Sequence, residues 1–238
     1  MANKRSRIRN LSLLALFLLL SLPAALVVHA VVVNRASKDM TLRQKILRSA
    51  YPLLTSLFKM SGRNVAVTAP PSPVTPPVAF HSLPPITMNG GEALAPSTLK
   101  GRRLLLVNTA SDCGYTPQYA ALQRLHEREG DGLLIIAFPA NDFKRQEQGG
   151  DLQIGEFCRR NYGVTFPIAN KSTVVKGPGQ HPVFEWLSDP QRNGWNGKPP
   201  VWNFTKYLVD GQGRLAGCFE PTIDPLGPEL GEALAQAL

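Results

Sequence analysis

Cys113 lies where a predicted strand gives way to a predicted helix. The apolar run 104–107 before it is typical of a buried strand. Thr116 and Pro117 after it predict the start of a helix, with the threonine as cap and the proline in the first helical position. The positive end of a helix favours thiolate over thiol, so this placement predicts a reactive cysteine with a lowered pKa. The alternative is a structural cysteine in a tight turn.

Two further cysteines, Cys158 and Cys218, complete the set. None of the three forms a CxxC pair and no histidine cluster accompanies them, so no metal site is expected. An odd number of cysteines also argues against a purely structural disulfide framework. Cys158 shares one face of a predicted helix with Ile154 and Phe157. It is therefore either a buried structural cysteine or a cysteine with a chemical role. Cys218 falls on a predicted strand and is expected in the core.

The positive charge of the chain is concentrated near its beginning. Of 238 residues with a net charge of +9, residues 1–63 hold 11 Lys and Arg against one acid, whereas residues 64–238 hold 15 against 16. A nucleic-acid-binding domain carries its basic face on the folded unit, so nucleic acid is not an expected partner. A basic N-terminal region instead fits attraction to anionic lipid.

The N-terminal region predicts a membrane segment. Residues 1–10 are basic, and residues 11–33 contain no charged side chain. At a rise of about 1.5 Å per residue, such a segment is long enough to cross a hydrocarbon core of about 30 Å. One interpretation is an uncleaved signal-anchor with the rest of the chain exported, and the other is a signal peptide cleaved after Ala30. An inverted topology is a third possibility, because basic residues also follow the span.

Two connecting segments follow the apolar one. Residues 34–64 are basic and amphipathic, and the helical spacing within 41–60 predicts either a helix on the membrane surface or a solvated spacer. Pro52 predicts that this helix is broken into two short pieces. Residues 65–79 contain five prolines, which predicts a semi-rigid polyproline II tether.

Residues 80–238 form the predicted folded unit. Apolar periodicity and turn signals predict, in order, a hairpin over 86–94, a strand over 133–138, helices near 152–158 and 183–187, a strand pair at 205–209 and 214–219, and a closing helix over 226–238. Together with the strand and helix around Cys113, this order predicts an α/β thioredoxin fold. Its mixed central sheet would be flanked by helices, with the N-terminal transmembrane or signal helix outside it.

Four sequence blocks within 80–238 resemble the glutathione peroxidase family. They are VNTASDCGYTPQY at 107–119, FPANDFKRQE at 138–147, EFCRRNYGVTFP at 156–167 and VWNFTKY at 201–207. The blocks are long, ordered and well spaced. Cysteine stands where some members of the family carry selenocysteine.

The resemblance implies a thiol peroxidase. Cys113 would be the peroxidatic nucleophile, and Gln146, Trp202 and Asn203 match the residues that surround it in the family. The implied chemistry is sound, because amide and indole N–H groups stabilise thiolate and leaving oxygen without titrating near pH 7. The oxidised product would be a sulfenic acid on Cys113.

The resemblance also implies how the enzyme is recycled. Cys158 occupies the position of the resolving cysteine in the thioredoxin-dependent branch of the family, with a thioredoxin-like protein as reductant and glutathione as the alternative. No bound cofactor or metal is expected. The second block departs from the family at Ala140 and Asp142, and an acid at 142 would oppose thiolate formation if it lay near the sulfur.

The leading hypothesis is therefore a membrane-tethered peroxidase that reduces hydrogen peroxide and organic or lipid hydroperoxides. A redox sensor that passes oxidation to a partner by disulfide exchange would use the same residues and is the alternative. A thioredoxin-like binding module without chemistry is disfavoured, because all four matched residues are present.

Overall fold

The computed structural model describes residues 25–35, 37, 39–60 and 67–237. Its centre is a five-stranded sheet in the order β1-β7-β6-β4-β5, with a separate two-stranded hairpin of β2 and β3. The strands are β1 (Val67–Thr68), β2 (Ile86–Thr87), β3 (Ala93–Leu94), β4 (Arg103–Thr109), β5 (Leu133–Pro139), β6 (Lys206–Val209) and β7 (Leu215–Phe219). Only β4 and β5 run parallel within the five-stranded sheet, so the sheet is mixed as predicted.

Helices cover both faces of this sheet. They are α1 (residues 25–33), α2 (Leu42–Met60), α3 (Gln118–Glu129), α4 (Asp151–Tyr162), α5 (Pro182–Leu187), α6 (Pro190–Asn193) and α7 (Pro228–Gln236). Leu105 and Val107 of β4 pack into one apolar cluster with α3, α4 and α7, and Leu104 and Leu106 pack into a second with α5. Alternate side chains of a strand point to opposite faces, which is why one continuous apolar run supplies both clusters. The thioredoxin-like fold is confirmed.

Strand register brings three distant loops to one edge of the sheet. Thr109 at the end of β4 pairs with Pro139 at the end of β5, so the segments that follow both strands leave from the same edge. Strand β6 is antiparallel to β4 and pairs Lys206 with Val107, so the segment before β6 also lies at that edge. Chemistry in open α/β sheets is placed at the carboxyl ends of the strands, and this edge is where Cys113 lies.

Helix α2 differs from its prediction. The structure has one continuous helix over Leu42–Met60, and Pro52 lies inside it. A proline removes one backbone donor, and the Pro52 carbonyl accepts hydrogen bonds from the hydroxyls of Thr55 and Ser56, at 3.0 and 2.8 Å. The prediction of two short pieces was therefore wrong.

The described part of the proline-rich segment lies against the domain. Val67 of β1 pairs with Phe219 of β7 and extends the sheet by one short strand. Further along, the Val78 carbonyl accepts a 2.7 Å hydrogen bond from Trp186 Nε1, and the Val78 N–H donates to the Arg192 carbonyl at 3.0 Å. Residues 67–78 therefore do not act as a free tether.

The segment that leads into α2 also docks on the domain. Met40 is buried in the same apolar cluster as Cys113 and Cys158. Asp39 forms an ion pair of 2.9 Å with Arg160 on α4. These contacts join the N-terminal region to the elements that carry both cysteines.

The predicted membrane segment falls mostly on residues outside the described ones, because residues 1–24 are not included. Among the helices that the structure does describe, none has the length and apolar character needed to cross a bilayer.

Candidate active site

The loop that carries Cys113 is held by Thr116. The Thr116 hydroxyl donates to the Ala110 carbonyl at 2.8 Å and accepts the backbone N–H of Cys113 at 3.0 Å. Helix α3 begins only at Gln118, so the prediction that Thr116 caps it and Pro117 opens it was wrong. The hydroxyl closes the loop on itself instead of satisfying a helix N–H group.

The structure brings Cys113 together with the three residues that the sequence singled out around it. The side chains of Trp202 and Asn203 face the Cys113 sulfur, and the Tyr115 backbone N–H lies 3.5 Å from it. Asn203 Nδ2 donates a 3.0 Å hydrogen bond to Gln146 Oε1, which joins the segment before β6 to the segment after β5. All the donors that face the sulfur are uncharged.

The sulfur itself is more buried than a position at the head of a helix predicts. Cys113 is 1% exposed, and this burial raises the pKa of its thiol. The N–H groups of Tyr115, Trp202 and Asn203 act in the opposite direction but do not outweigh burial. The prediction of a lowered pKa was therefore wrong for this state. The dipole of a helix acts within its first turn, and α3 begins five residues beyond the sulfur.

The acid beside the sulfur is not the one suspected from the sequence. Asp142 accepts a 2.8 Å hydrogen bond from the Val174 backbone N–H. It is Asp112, the neighbour of Cys113 in the chain, whose charge adds to the rise in the pKa of Cys113. Asp112 is in turn paired with Arg43 of α2.

Cys158 lies on α4 and is completely buried. Burial raises the pKa of its thiol to about 12, and the hydroxyl of Tyr119 on α3 acts against that rise. Both Cys113 and Cys158 are free thiols in this structure. A disulfide between two cysteines requires Cα atoms within about 7 Å and converging side chains.

Glu147 is a buried acid at the end of the second sequence block, and no role was predicted for it. It is 2% exposed and accepts a 3.0 Å hydrogen bond from Ser111 Oγ on the Cys113 loop. Burial raises the pKa of Glu147 to about 7, against the effects of Ser111 and Lys171. Its position directly after Gln146 in the second sequence block is the sequence feature that could have singled out Glu147 as a site residue.

A cavity of about 550 Å³ opens beside Gln146 and Glu147, between the start of α2 and helix α4. Lys144 and Arg145, just before these residues, adopt left-handed backbone angles with φ of 52° and 53°. Lys144 Nζ lies 5.6 Å from the centre of the Trp202 ring. Across the described ranges, no three His, Cys, Asp or Glu side chains are grouped so that they could hold a metal ion.

The fold and the site together define a class. A mixed, helix-flanked sheet with a cysteine just beyond a central parallel strand, ringed by uncharged N–H donors, is the arrangement of a thioredoxin-fold thiol enzyme. The sequence profile described as "Glutathione peroxidase" matches residues 80–188. The chain is 42% identical over 158 residues to the glutathione peroxidase-like peroxiredoxin GPX5 of Chlamydomonas reinhardtii. The aligned region covers 65% of this chain and 96% of that protein. The chain therefore belongs to the glutathione peroxidase family and is a peroxidase.

Two further comparisons agree with this assignment. The hydroperoxy fatty acid reductase gpx1 of Synechocystis sp. is 45% identical over 133 residues, covering 52% of this chain and 77% of that protein. The crystal structure of T. cruzi GPX1 superposes with a TM-score of 0.51 at 28% identity, covering 67% of this chain and 95% of that one. The resemblance stated from the four sequence blocks is confirmed.

Proposed function

We propose that this chain reduces hydroperoxides with Cys113 as its nucleophile. The Cys113 thiolate attacks the terminal peroxide oxygen, the O–O bond breaks, and the alkoxide leaves as an alcohol after taking up a proton. The sulfur is oxidised to sulfenic acid and the peroxide is reduced. The observation that carries this proposal is the set of uncharged donors, from Tyr115, Trp202 and Asn203, that face a single sulfur.

Gln146 and Asn203 are proposed to donate hydrogen bonds to the peroxide in addition to the hydrogen bond between them. Their mutual hydrogen bond fixes both amides, so little reorganisation is needed when negative charge develops on the leaving oxygen. A second fixing contact comes from Asn108 Nδ2, which donates to the Trp202 carbonyl at 3.0 Å. Preorganised donors of this kind commonly contribute about 100-fold each to a rate.

Recycling is proposed to pass through Cys158. Its thiol attacks the sulfenic sulfur of Cys113, a disulfide forms, and the hydroxyl leaves with the thiol proton as water. A thioredoxin-like dithiol protein then reduces the disulfide by exchange, with glutathione as the alternative reductant. The position of Cys158 on α4, in the same apolar cluster as Cys113, supports this pairing once the helix has opened.

The test is peroxide consumption by the purified full chain with thioredoxin and glutathione offered in parallel. Cys113→Ser should abolish turnover, and Cys218→Ser, a change of the half-buried cysteine on β7, should not. Unchanged turnover in Cys113→Ser refutes the assignment. Slow recycling together with a trapped mixed disulfide to a partner protein would favour the redox sensor instead.

A membrane location is proposed from the sequence of residues 11–33, with the catalytic domain on the exported side. A signal peptide cleaved after Ala30 is the alternative. The N-terminal peptide of the native protein, identified by mass spectrometry, decides between them, because only the anchored form retains residues before Val31. Lipid hydroperoxides are proposed among the substrates, which the name of the Synechocystis relative supports.

A further inference from the structure

Helix α2 turns polar side chains toward the catalytic domain. Gln44 Nε2 donates a 3.0 Å hydrogen bond to the Ser111 carbonyl, and the Arg48 guanidinium lies 4.9 Å from the centre of the Tyr162 ring. A helix on the surface of a globular protein normally buries its apolar stripe and exposes its polar face. The orientation of α2 is the reverse of this arrangement.

Four large apolar residues of α2 form a stripe that faces solvent, here called the outer stripe. It consists of Leu42, Ile46, Leu53 and Leu57, which are 75%, 57%, 55% and 53% exposed. With 3.6 residues per turn, these four positions fall within about 60° of one another around the helix. A surface of this kind costs free energy in water and is typical of a binding face.

Apolar exposure in the described part of the chain is concentrated in α1 and α2. Asn34, at the end of α1, donates hydrogen bonds to the Lys45 carbonyl at 3.3 Å and to Ser49 Oγ at 2.8 Å, so α1 is joined to α2. The large apolar side chains exposed on α1 are Leu26, Val27, Val28, Val31 and Val32. The apolar surface therefore continues from one helix to the next.

The charges beside the outer stripe indicate what covers it. Lys45 and Arg43, which also pairs with Asp112, lie on either side of the stripe, and residues 1–63 carry 11 Lys and Arg against one acid. Basic side chains flanking an apolar helix face are the pattern of helices that lie in the headgroup region of anionic membranes. A second copy of the chain would bring the same positive charge to the contact and is disfavoured for that reason.

We propose that the outer stripe of α2 lies in the surface of an anionic lipid bilayer. Because α2 also contacts Ser111 and Asp112 on the Cys113 loop, this placement holds the site at the bilayer and presents it to hydroperoxides of the acyl chains. The substrate part of this inference rests on the proposed peroxidase function. The binding part does not, because it concerns α2 alone.

Quenching by brominated phosphatidylcholine tests the binding part directly. The full chain is reconstituted into vesicles with and without phosphatidylglycerol, carrying Ile46→Trp, Leu53→Trp or Gln212→Trp. Gln212 is exposed in the turn between β6 and β7, at the sheet edge opposite Cys113, and is the matched control. The added emission of Ile46→Trp and Leu53→Trp should be quenched, more strongly with phosphatidylglycerol, and that of Gln212→Trp should not. Unquenched emission from both stripe variants in floating vesicles overturns the proposal, and dimerisation through the stripe would give that same result.

Turnover in the same vesicles tests the substrate part. The double variant Ile46→Glu/Leu53→Glu should reduce phospholipid hydroperoxide at least about tenfold more slowly than the unsubstituted chain, since each apolar side chain withdrawn from lipid costs about that factor. Hydrogen peroxide turnover should be unchanged, which shows that the fold and Cys113 are intact. Equal loss with both peroxides contradicts the inference. Absence of hydrogen peroxide turnover in the unsubstituted chain would refute the proposed function. It would not affect the quenching result, which tests membrane binding alone.

Discussion

Asn203 Nδ2 donates a 3.0 Å hydrogen bond to Gln146 Oε1, so two side chains that are 57 positions apart in the chain are oriented as a pair. With its oxygen occupied, Gln146 has its Nε2–H groups left to donate to a bound peroxide. Asn203 simultaneously faces the Cys113 sulfur. In the proposed reaction, this amide pair would connect the Cys113 sulfur with the place where the leaving oxygen develops charge.

Removal of Asn203 should impair the first chemical step. We expect Asn203→Ala to lower the second-order rate of Cys113 oxidation by hydrogen peroxide roughly 100-fold, because a fixed donor is lost and Gln146 is no longer oriented. Stopped-flow tryptophan fluorescence measures this rate. Gln148→Ala, an exposed amide two residues beyond Gln146, is the control and should react at the normal rate. A folded Asn203→Ala protein that reacts as fast as the unsubstituted chain would show that the amide pair has no catalytic role.

Disulfide formation should loosen α4. Cys158 is completely buried on this helix, and we expect its thiol to reach Cys113 only after the helix has unfolded locally. We expect the backbone amides of α4 to exchange with deuterium faster after one equivalent of peroxide, whereas those of α3 after its first turn should change little. Hydrogen exchange with mass spectrometry measures both helices in one experiment. In Cys158→Ser the same peroxide treatment should leave the amides of α4 protected. Faster exchange in that variant would show that α4 opens without formation of the disulfide.

The central strands of the sheet and most of its helices were predictable because their signals are local, whereas the edge strand β1 lies in the segment predicted as a polyproline tether. The apolar runs at 104–107 and 133–138 became β4 and β5, and the interval around Asp210 and Gly211 became the turn between β6 and β7. Runs of this kind bury both faces of a strand, so the sequence alone identifies them.

Two of the mispredicted features depend on contacts between distant residues, and a third depends on the folding of a local turn. The partner of Arg43 is Asp112, 69 positions away, and no local pattern shows that α2 docks there. The rise in the pKa of Cys113 follows from burial by loops from three parts of the chain. Thr116 has the sequence of a helix cap, but its hydroxyl bonds backward to Ala110 because the turn folds over that carbonyl.

The rate of the first step should rise with pH. Burial raises the pKa of Cys113, and below that pKa the thiolate fraction increases about tenfold for each pH unit. We therefore expect the oxidation rate of Cys113 to keep rising between about pH 7.5 and pH 9. Carboxylates and histidines ordinarily titrate below this range, so they should not contribute to the rise. Asn203→Ala removes one group that lowers the pKa of Cys113, so its profile should shift further toward alkaline pH. A rate that is already constant at pH 7.5 would mean that the sulfur is ionised there and that burial does not control it.

Glu147 should make the protein less stable as the pH rises. Burial raises the pKa of Glu147 from 4.5 to about 7, so between these values the folded state binds more protons than the unfolded state, and the free energy of unfolding falls with pH. A shift of this size corresponds to roughly 3 kcal/mol, fully present below about pH 4.5 and lost once the pH has passed 7. Glu147→Gln keeps the size of the side chain and cannot ionise, so its stability relative to the unsubstituted chain should rise by about that amount from pH 4.5 to pH 8. Urea unfolding of the full chain in detergent measures the difference, with the exposed Glu156→Gln on α4 as control. Parallel stability curves for Glu147→Gln and the unsubstituted chain would show that Glu147 ionises in the folded protein as it does in water.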